Sequence, residues 1–295
     1  MTARRREPRL RLATRGSPQA RTQAEVVARA LEAAHPGLGV DLVLVDTTGD
    51  RRQDVPLHTI GGQGVFVKEV QRAVLDGRAD LAVHSAKDLP SDTAAGLHIA
   101  AFCARRSAGD ALIGHSLDDL AEGATIATGS VRRRAQLAAV RPDLQFVELR
   151  GNIQTRLGKV PEGGSIVMAI AALEVLGMTH LVADELDPTV FVPAVGQGCV
   201  AVECRAADEG TTELVHAIDD APTRAAVETE RAFLATLGSG CSLPVGAHVV
   251  DGTLHAFLAD PARGRFTRRA EPLGDDATST ARDVAVSMQR ELDDG

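Results

Sequence analysis

The sequence predicts two α/β lobes followed by a smaller C-terminal α+β domain. Three observations carry this expectation. Strand-like and helix-like runs alternate from Leu10 onward and again from near Asp110, the pattern of βαβ units. The last part, after Val245, changes to short alternating strands and one closing helix. The length of 295 residues suits two or three domains better than one small core.

Leu10–Thr14 reads as a strand, and Ser17-Pro18 is a helix-start signal, a cap followed by a first-turn proline. That helix runs to about Ala34, where His35-Pro36-Gly37 stops it, and Val40–Val45 is the second strand. Residues 46–64 show no clear period and hold Gly49, Pro56, Gly61, Gly62 and Gly64. A loop that long is usually functional or disordered. Val65–Leu75 reads as a helix, Asp80–His84 and Leu97–Cys103 as strands. In the second series Thr125–Thr128, Gln145–Leu149 and Ser165–Ala169 are strands, while Ser130–Val140, Asn152–Gly158 and Ala171–Leu176 are helical. Pro193–Gly198 is a crossover into the strand Cys199–Cys204. Ala221–Leu237 is a long helix, and the tail holds strands at Val245–Val250, Thr253–Leu258 and Phe266–Ala270, with a helix from about Asp276.

The net charge is −8, and the sequence has neither Trp nor Tyr. Both disfavour nucleic-acid binding, which leans on basic surfaces and base-stacking rings. No apolar run approaches the ~20 residues of a membrane span, and the Arg-rich N-terminus lacks the apolar segment of a secretory signal. The four cysteines show no C-x-x-C spacing, which argues against zinc and a disulfide framework and fits a reducing, cytoplasmic setting. Lysine is scarce, at Lys68, Lys87 and Lys159 alone, so almost all positive charge is arginine. Its positions are informative: Arg15, Arg132–Arg134 and Arg150 follow strand ends and lead into helix N-termini, where free N–H groups favour an anion. In the first turn of a helix capped by Ser130, each exposed cation is misplaced by roughly 0.3–1 kcal/mol. A bound carboxylate or phosphate reverses that sign, and several guanidinium forks suit a ligand with several carboxylates.

Asp88, beside Lys87 at a strand end, is the candidate acid; taken alone it reads as an ordinary turn aspartate before Pro90. His84 and Ser85 sit at the same strand end, but nothing nearby in sequence completes a nucleophile–base–orienter set. Cys241, between Gly240 and Ser242, is either a covalent attachment point or a packed free thiol.

Taken together, these segments resemble the porphobilinogen deaminase (hydroxymethylbilane synthase) family over nearly the whole chain. The matching blocks are Ala13–Pro18, Gly61–Glu69, Ala82–Pro90, Gly129–Arg133, Leu149–Asn152, Thr155–Leu157, Pro193–Gly198 and Gly240-Cys241, in that order. The resemblance implies two lobes like a type II periplasmic binding protein plus a third domain. The division is residues 1–105 with 199–218 as lobe 1, 106–198 as lobe 2, and 219–295 as the C-terminal domain. It implies a dipyrromethane cofactor tethered through a thioether to Cys241, and head-to-tail condensation of four porphobilinogens with release of ammonia. Asp88 then matches the catalytic aspartate. Lys87, Thr128, Ser130, Arg132, Arg133 and Ser85 match cofactor-binding positions. Arg15, Ser17, Arg150, Asn152 and Arg156 match positions that take substrate carboxylates, and residues 46–64 match a mobile active-site loop. The partner implied is a small pyrrole with carboxylate side chains, handled by a monomer, with no metal.

Some positions depart from the family pattern. Val175 stands where an arginine is expected, Gly109 replaces another, and Thr59 occupies a basic loop position. Losing one such contact removes on the order of 1.5–3 kcal/mol of binding. Two alternatives therefore stay open: a divergent relative with a shorter or different pyrrole product, and a non-enzymatic two-lobed protein for an anionic ligand.

Overall fold

The computed structural model describes residues 8–47, 64, 66–238 and 244–294. Most of the loop at 46–64, with Thr59, and the cysteine at 241 therefore lie outside the described residues.

Strand β1 (Arg9–Arg15) pairs in parallel with β2 (Gly39–Val45) and β3 (Leu81–Ser85). Helix α1 (Pro18–Ala34) crosses between β1 and β2, capped by Ser17, whose Oγ accepts from Ala20 N at 3.3 Å. Its Ala24, Val27, Ala28 and Leu31 share one face and are buried on the sheet. Helix α2 (Lys68–Leu75) starts later than the expected Val65, because a turn from Gly64 intervenes, with Val67 N donating to Gly64 O. The sheet order is β2-β1-β3-β10-β4, with β4 at Leu97–Phe102 and β10 at Val200–Arg205.

The second sheet repeats this plan as β7-β6-β8-β5-β9. Its strands are β5 (Asp110–Ile113), β6 (Thr125–Ala127), β7 (Gln145–Val147), β8 (Ser165–Ala169) and β9 (Asp184–Leu186). Helices α3 (Val131–Val140), α4 (Ile153–Leu157) and α5 (Ile170–Val175) lie among them. In each sheet the fourth strand runs antiparallel to its neighbours: β10 between β3 and β4, β5 between β8 and β9. Each of those strands arrives from the other lobe, so two crossovers run side by side, with Arg106 N donating to Gly198 O and Cys103 N to Val200 O. These are the two α/β lobes that the sequence predicts. Strands β5 and β9, and helix α6 (Glu209–His216), were not anticipated. The strands are three or four residues long, too short for either periodicity to emerge.

The C-terminal part is an antiparallel meander of β11 (Val245–Val250), β12 (Thr253–Asp260) and β13 (Arg265–Pro272). Asp251-Gly252, both at positive φ, make the tight turn between β11 and β12. Helices α7 (Ala221–Thr236) and α8 (Ala277–Asp294) pack on the meander through Phe233, Leu254, Leu258, Val284 and Met288. Glu230 of α7, fully buried, joins all three parts. Its carboxylate takes Arg105 of the first crossover at 2.6 and 3.1 Å, Gly196 N of the second at 2.8 Å, and Val249 N of β11 at 2.9 Å. Burial pushes its pKa up, and Arg105 and His248 together more than offset this. No helix among the described residues is long and apolar enough to cross a membrane.

Candidate active site

The carboxyl ends of β1, β3, β6 and β8 face one cavity of about 650 Å3 between the lobes, as open α/β sheets dictate. Every site residue expected from the sequence that lies among the described residues lines it. Lobe 1 contributes Arg15, Ser17, Ser85, Lys87 and Asp88, and lobe 2 contributes Thr128, Ser130, Arg132, Arg133, Arg150, Asn152 and Arg156.

Local structure explains how these side chains are held. Ser17, Ser130 and Asn152 cap α1, α3 and α4, so their oxygens already accept backbone N–H groups. Thr128 Oγ1 accepts from Ser130 N at 3.2 Å, and Ser85 Oγ donates to Gln23 Oε1 at 3.2 Å. These hydroxyls and amides shape the turns that aim helix N-termini at the cavity. Arg15 lies 4.0 Å above the Phe66 ring centre. Arg156 is steered by Nε donating to Gly151 O at 2.8 Å. Asp88 sits half-buried at the end of a single 3-10 turn, Ala86–Asp88, that follows β3 directly.

One expectation is corrected. Arg132 and Arg133 are not exposed cations on the first helical turn: they are 5% and 8% exposed. Asp110, fully buried at the start of β5, lies between them. Its Oδ2 takes Arg132 Nη2 at 2.7 Å, and its Oδ1 takes Arg133 Nη2 at 2.6 Å and Nε at 3.1 Å. Arg132 Nη1 also donates to Val192 O at 2.7 Å, and Arg133 Nη1 to Val167 O at 2.9 Å. The dipole penalty is offset by a carboxylate inside the protein, and both arginines still reach the cavity wall. Burial works to raise the pKa of Asp110, but the two guanidiniums prevail and hold it well below the carboxylate range. Only Arg134 stays exposed, stacked over Phe146.

Two further cations of the cleft, Lys87 and Arg156, are held below their ordinary range. Lys87 is pushed down to about 8, first by burial and then by Arg133. Arg156 is pushed down to about 10 by burial, Arg133 and Arg150. Cations that depress one another in a partly dry cleft favour a ligand bearing several negative charges.

Sequence reasoning missed Asp110, Gln197 and the partner of His84. Buried His84 lies 3.1 Å from Glu203 Oε2 on β10, and Gln71 donates to the same carboxylate at 2.9 and 3.1 Å. No local signal could have found that pairing, because β3 and β10 meet only through the second crossover. Val175, at the end of α5, is half-buried between the cavity-lining Ala172 and Leu176.

A two-lobed cleft lined by arginines, one lysine, half-buried Asp88 and exposed Asp46 has the chemistry that suits a ligand bearing several carboxylates. Comparison with known proteins narrows this class. A family model for the porphobilinogen deaminase dipyrromethane cofactor binding domain matches residues 10–213, and one for the porphobilinogen deaminase C-terminal domain matches residues 224–293. Porphobilinogen deaminase of Nitratidesulfovibrio vulgaris is 43% identical, covering 95% of this chain and 93% of its own. That of Acidothermus cellulolyticus is 45% identical over 95% and 88%, and that of Syntrophobacter fumaroxidans 45% over 97% and 95%. The methionine binding protein MetQ overlays at a TM-score of 0.47 and 15% identity, covering 74% of this chain and 92% of its own, too weak a likeness to add to the sheet topology. The chain belongs to the porphobilinogen deaminase family.

Proposed function

We propose that this chain is a transferase that condenses four porphobilinogens head to tail, releasing ammonia, to give the linear tetrapyrrole hydroxymethylbilane. The observation that carries this reading is the convergence of Asp88 with Lys87, Arg15, Arg150 and Arg156 in one cleft of a chain of this family. The residues fit a dipyrromethane, whose several carboxylates answer the mutually depressed cations. When bound, the cofactor supplies the nucleophilic pyrrole carbon at its free end. Lys87, Arg132, Arg133, Thr128, Ser130 and Ser85 hold it. Arg15, Ser17, Arg150, Asn152 and Arg156 orient the incoming pyrrole. Asp88 stabilises positive charge developing on the substrate ring and moves protons at the pyrrole nitrogen and the departing amine. A pure binding protein needs neither a proton-moving carboxylate nor a tether.

Cys241 is the attachment point on this reading. The other three cysteines are held as thiols: burial raises Cys103 and Cys204 to about 12 and Cys199 further. Intact mass of the purified protein is expected to exceed the sequence mass by two linked pyrrole units, and Cys241→Ala is expected to lose the increment and all turnover. An unmodified mass in protein incubated with porphobilinogen sinks the assignment.

The pH dependence follows from Lys87. Its free-state pKa is depressed, and a bound carboxylate raises it again, so binding takes up a proton in the window above about pH 8 and none well below it. Calorimetry of porphobilinogen binding in two buffers of different ionisation enthalpy reads that proton. No buffer dependence at pH 8.5 contradicts it. Val175→Arg restores a guanidinium near Ala172 and Leu176, and a contact worth about 1.5–3 kcal/mol lowers KM for porphobilinogen roughly ten- to a hundred-fold. An unchanged KM, with turnover of another pyrrole, favours a changed substrate instead.

The same reading places the protein in the cytoplasm, as a monomer with neither nucleic-acid nor membrane partner. It divides the chain into residues 1–105 with 199–218, 106–198, and 219–295.

A further inference from the structure

Gln197 sits on the return crossover with 1% of its surface exposed, and its side chain bridges the two lobes. On one side Oε1 accepts from Lys87 Nζ of lobe 1 at 3.2 Å. On the other, Nε2 donates to Ala108 O at 2.7 Å, Gly109 O at 3.2 Å and Asp110 Oδ1 at 2.9 Å. A cation on one side and three oxygens on the other permit only this orientation of the amide. The backbone beneath it is equally constrained. Gln197 O accepts from Arg105 Nε at 2.9 Å. Gly196 and Gly198 are both at positive φ, and an added Cβ would lie 2.9 Å from Ala86 Cβ and 2.7 Å from Arg106 O respectively. Only glycines let the crossover press this closely against the Lys87 turn and the outgoing crossover.

We propose that Gln197 is a positioning residue that couples the two halves of the cofactor site, holding the Lys87 ammonium of lobe 1 in register with the Asp110–Arg132–Arg133 clamp of lobe 2. The proposal rests on the reading of those cations as cofactor-binding groups. The physical reason is charge placement. The charged groups acting on Lys87 are Arg133 and Arg132, which disfavour its ammonium, and Asp88 and Asp110, which favour it. The amide oxygen of Gln197 adds a neutral acceptor at the ammonium without cancelling the charge that a ligand carboxylate needs. Its NH2 group also joins Arg133 Nε and Nη2 as a donor to Asp110 Oδ1, which ties the arginine clamp to the crossover.

With only three lysines in the chain, Lys87 can be titrated directly in full-length protein labelled with 13C at lysine Cε, using Lys68→Arg and Lys159→Arg to assign the signals. Gln197→Met keeps the length but removes the acceptor, and is expected to lower the Lys87 midpoint by about one pH unit. Gln197→Glu places an anion at the ammonium and is expected to raise it. Intact mass of each sample records cofactor occupancy, and Gln197→Met is expected to load more slowly from added porphobilinogen. A filler role would lower stability without moving the lysine signal. A Lys87 midpoint unchanged in both variants, or moved in the opposite sense, overturns the proposal. If Gln197→Met does not fold, Gln197→Glu alone decides. Failure of the functional reading shows separately, as parent protein that never gains pyrrole mass while its Lys87 still responds to Gln197.

Discussion

Asp88→Asn is expected to leave the tether in place and to reduce condensation by roughly 10²- to 10⁴-fold, the usual contribution of a positioned acid–base group. The substitution preserves shape, and the 3-10 turn of Ala86–Asp88 is held by backbone bonds, including Leu89 N to Ala86 O, that do not involve the carboxylate. What it removes is one of the two carboxylates among the described residues lining a cavity wall that also holds Arg15, Lys87, Arg150 and Arg156; the other is the exposed Asp46 just after β2. Positive charge developing on a pyrrole would then face Arg15, Lys87, Arg150 and Arg156 with Asp46 as the one carboxylate left among the described lining residues. The variant should therefore still bind carboxylates, and bind them at least as well, while the chemical step fails. Single-turnover kinetics on protein shown by mass to carry the cofactor separate the two effects. Parent-like rates in loaded Asp88→Asn protein refute the role.

The second large effect belongs to Asp110. Asp110→Ala leaves Arg132 and Arg133 buried with only carbonyl partners, and breaking a buried ion pair from one side costs about 3–5 kcal/mol. Urea unfolding should show that loss, and Asp110→Asn, which keeps acceptor geometry on one oxygen, should show less. The Lys87 midpoint should also fall, since Asp110 favours the ammonium. A loss below about 1 kcal/mol in Asp110→Ala, within the range of an exposed pair, contradicts the buried-clamp description. The acid behaviour has a definite sign. Because the folded pKa of Asp110 is depressed, its stabilisation is fully present above the ordinary carboxylate pKa of about 3.9 and is lost as pH falls through the folded value. Acid unfolding should therefore set in below about pH 4.

The clamp also shows which inferences the sequence supports and where they stop. Ser130 before an arginine-rich helix was readable, since a cap and its helix are consecutive in the chain. That reading assigned Arg132 and Arg133 to solvent and a ligand, because Asp110 lies beyond the span of any local pattern. Likewise, His84 lacked a partner until β10 returned from lobe 2 and brought Glu203 beside it. Strands β5 and β9 escaped for a related reason: they are short and complete a sheet whose other strands lie elsewhere in the chain.

By itself the sequence determined the elements and the residue types at their ends: strand, cap, glycine, arginine, and Asp88 after β3. These depend on interactions within a few residues, where periodicity and capping operate. The tertiary structure decided which charges are paired inside the protein and which line the cleft. That follows from burial and from two antiparallel strands exchanged between lobes, because the energy of a charge depends on what surrounds it in space. Arg132 and Arg133 are balanced by Asp110, Lys87 is held by Gln197, and Arg15, Arg150 and Arg156 complete the positive wall of the cleft.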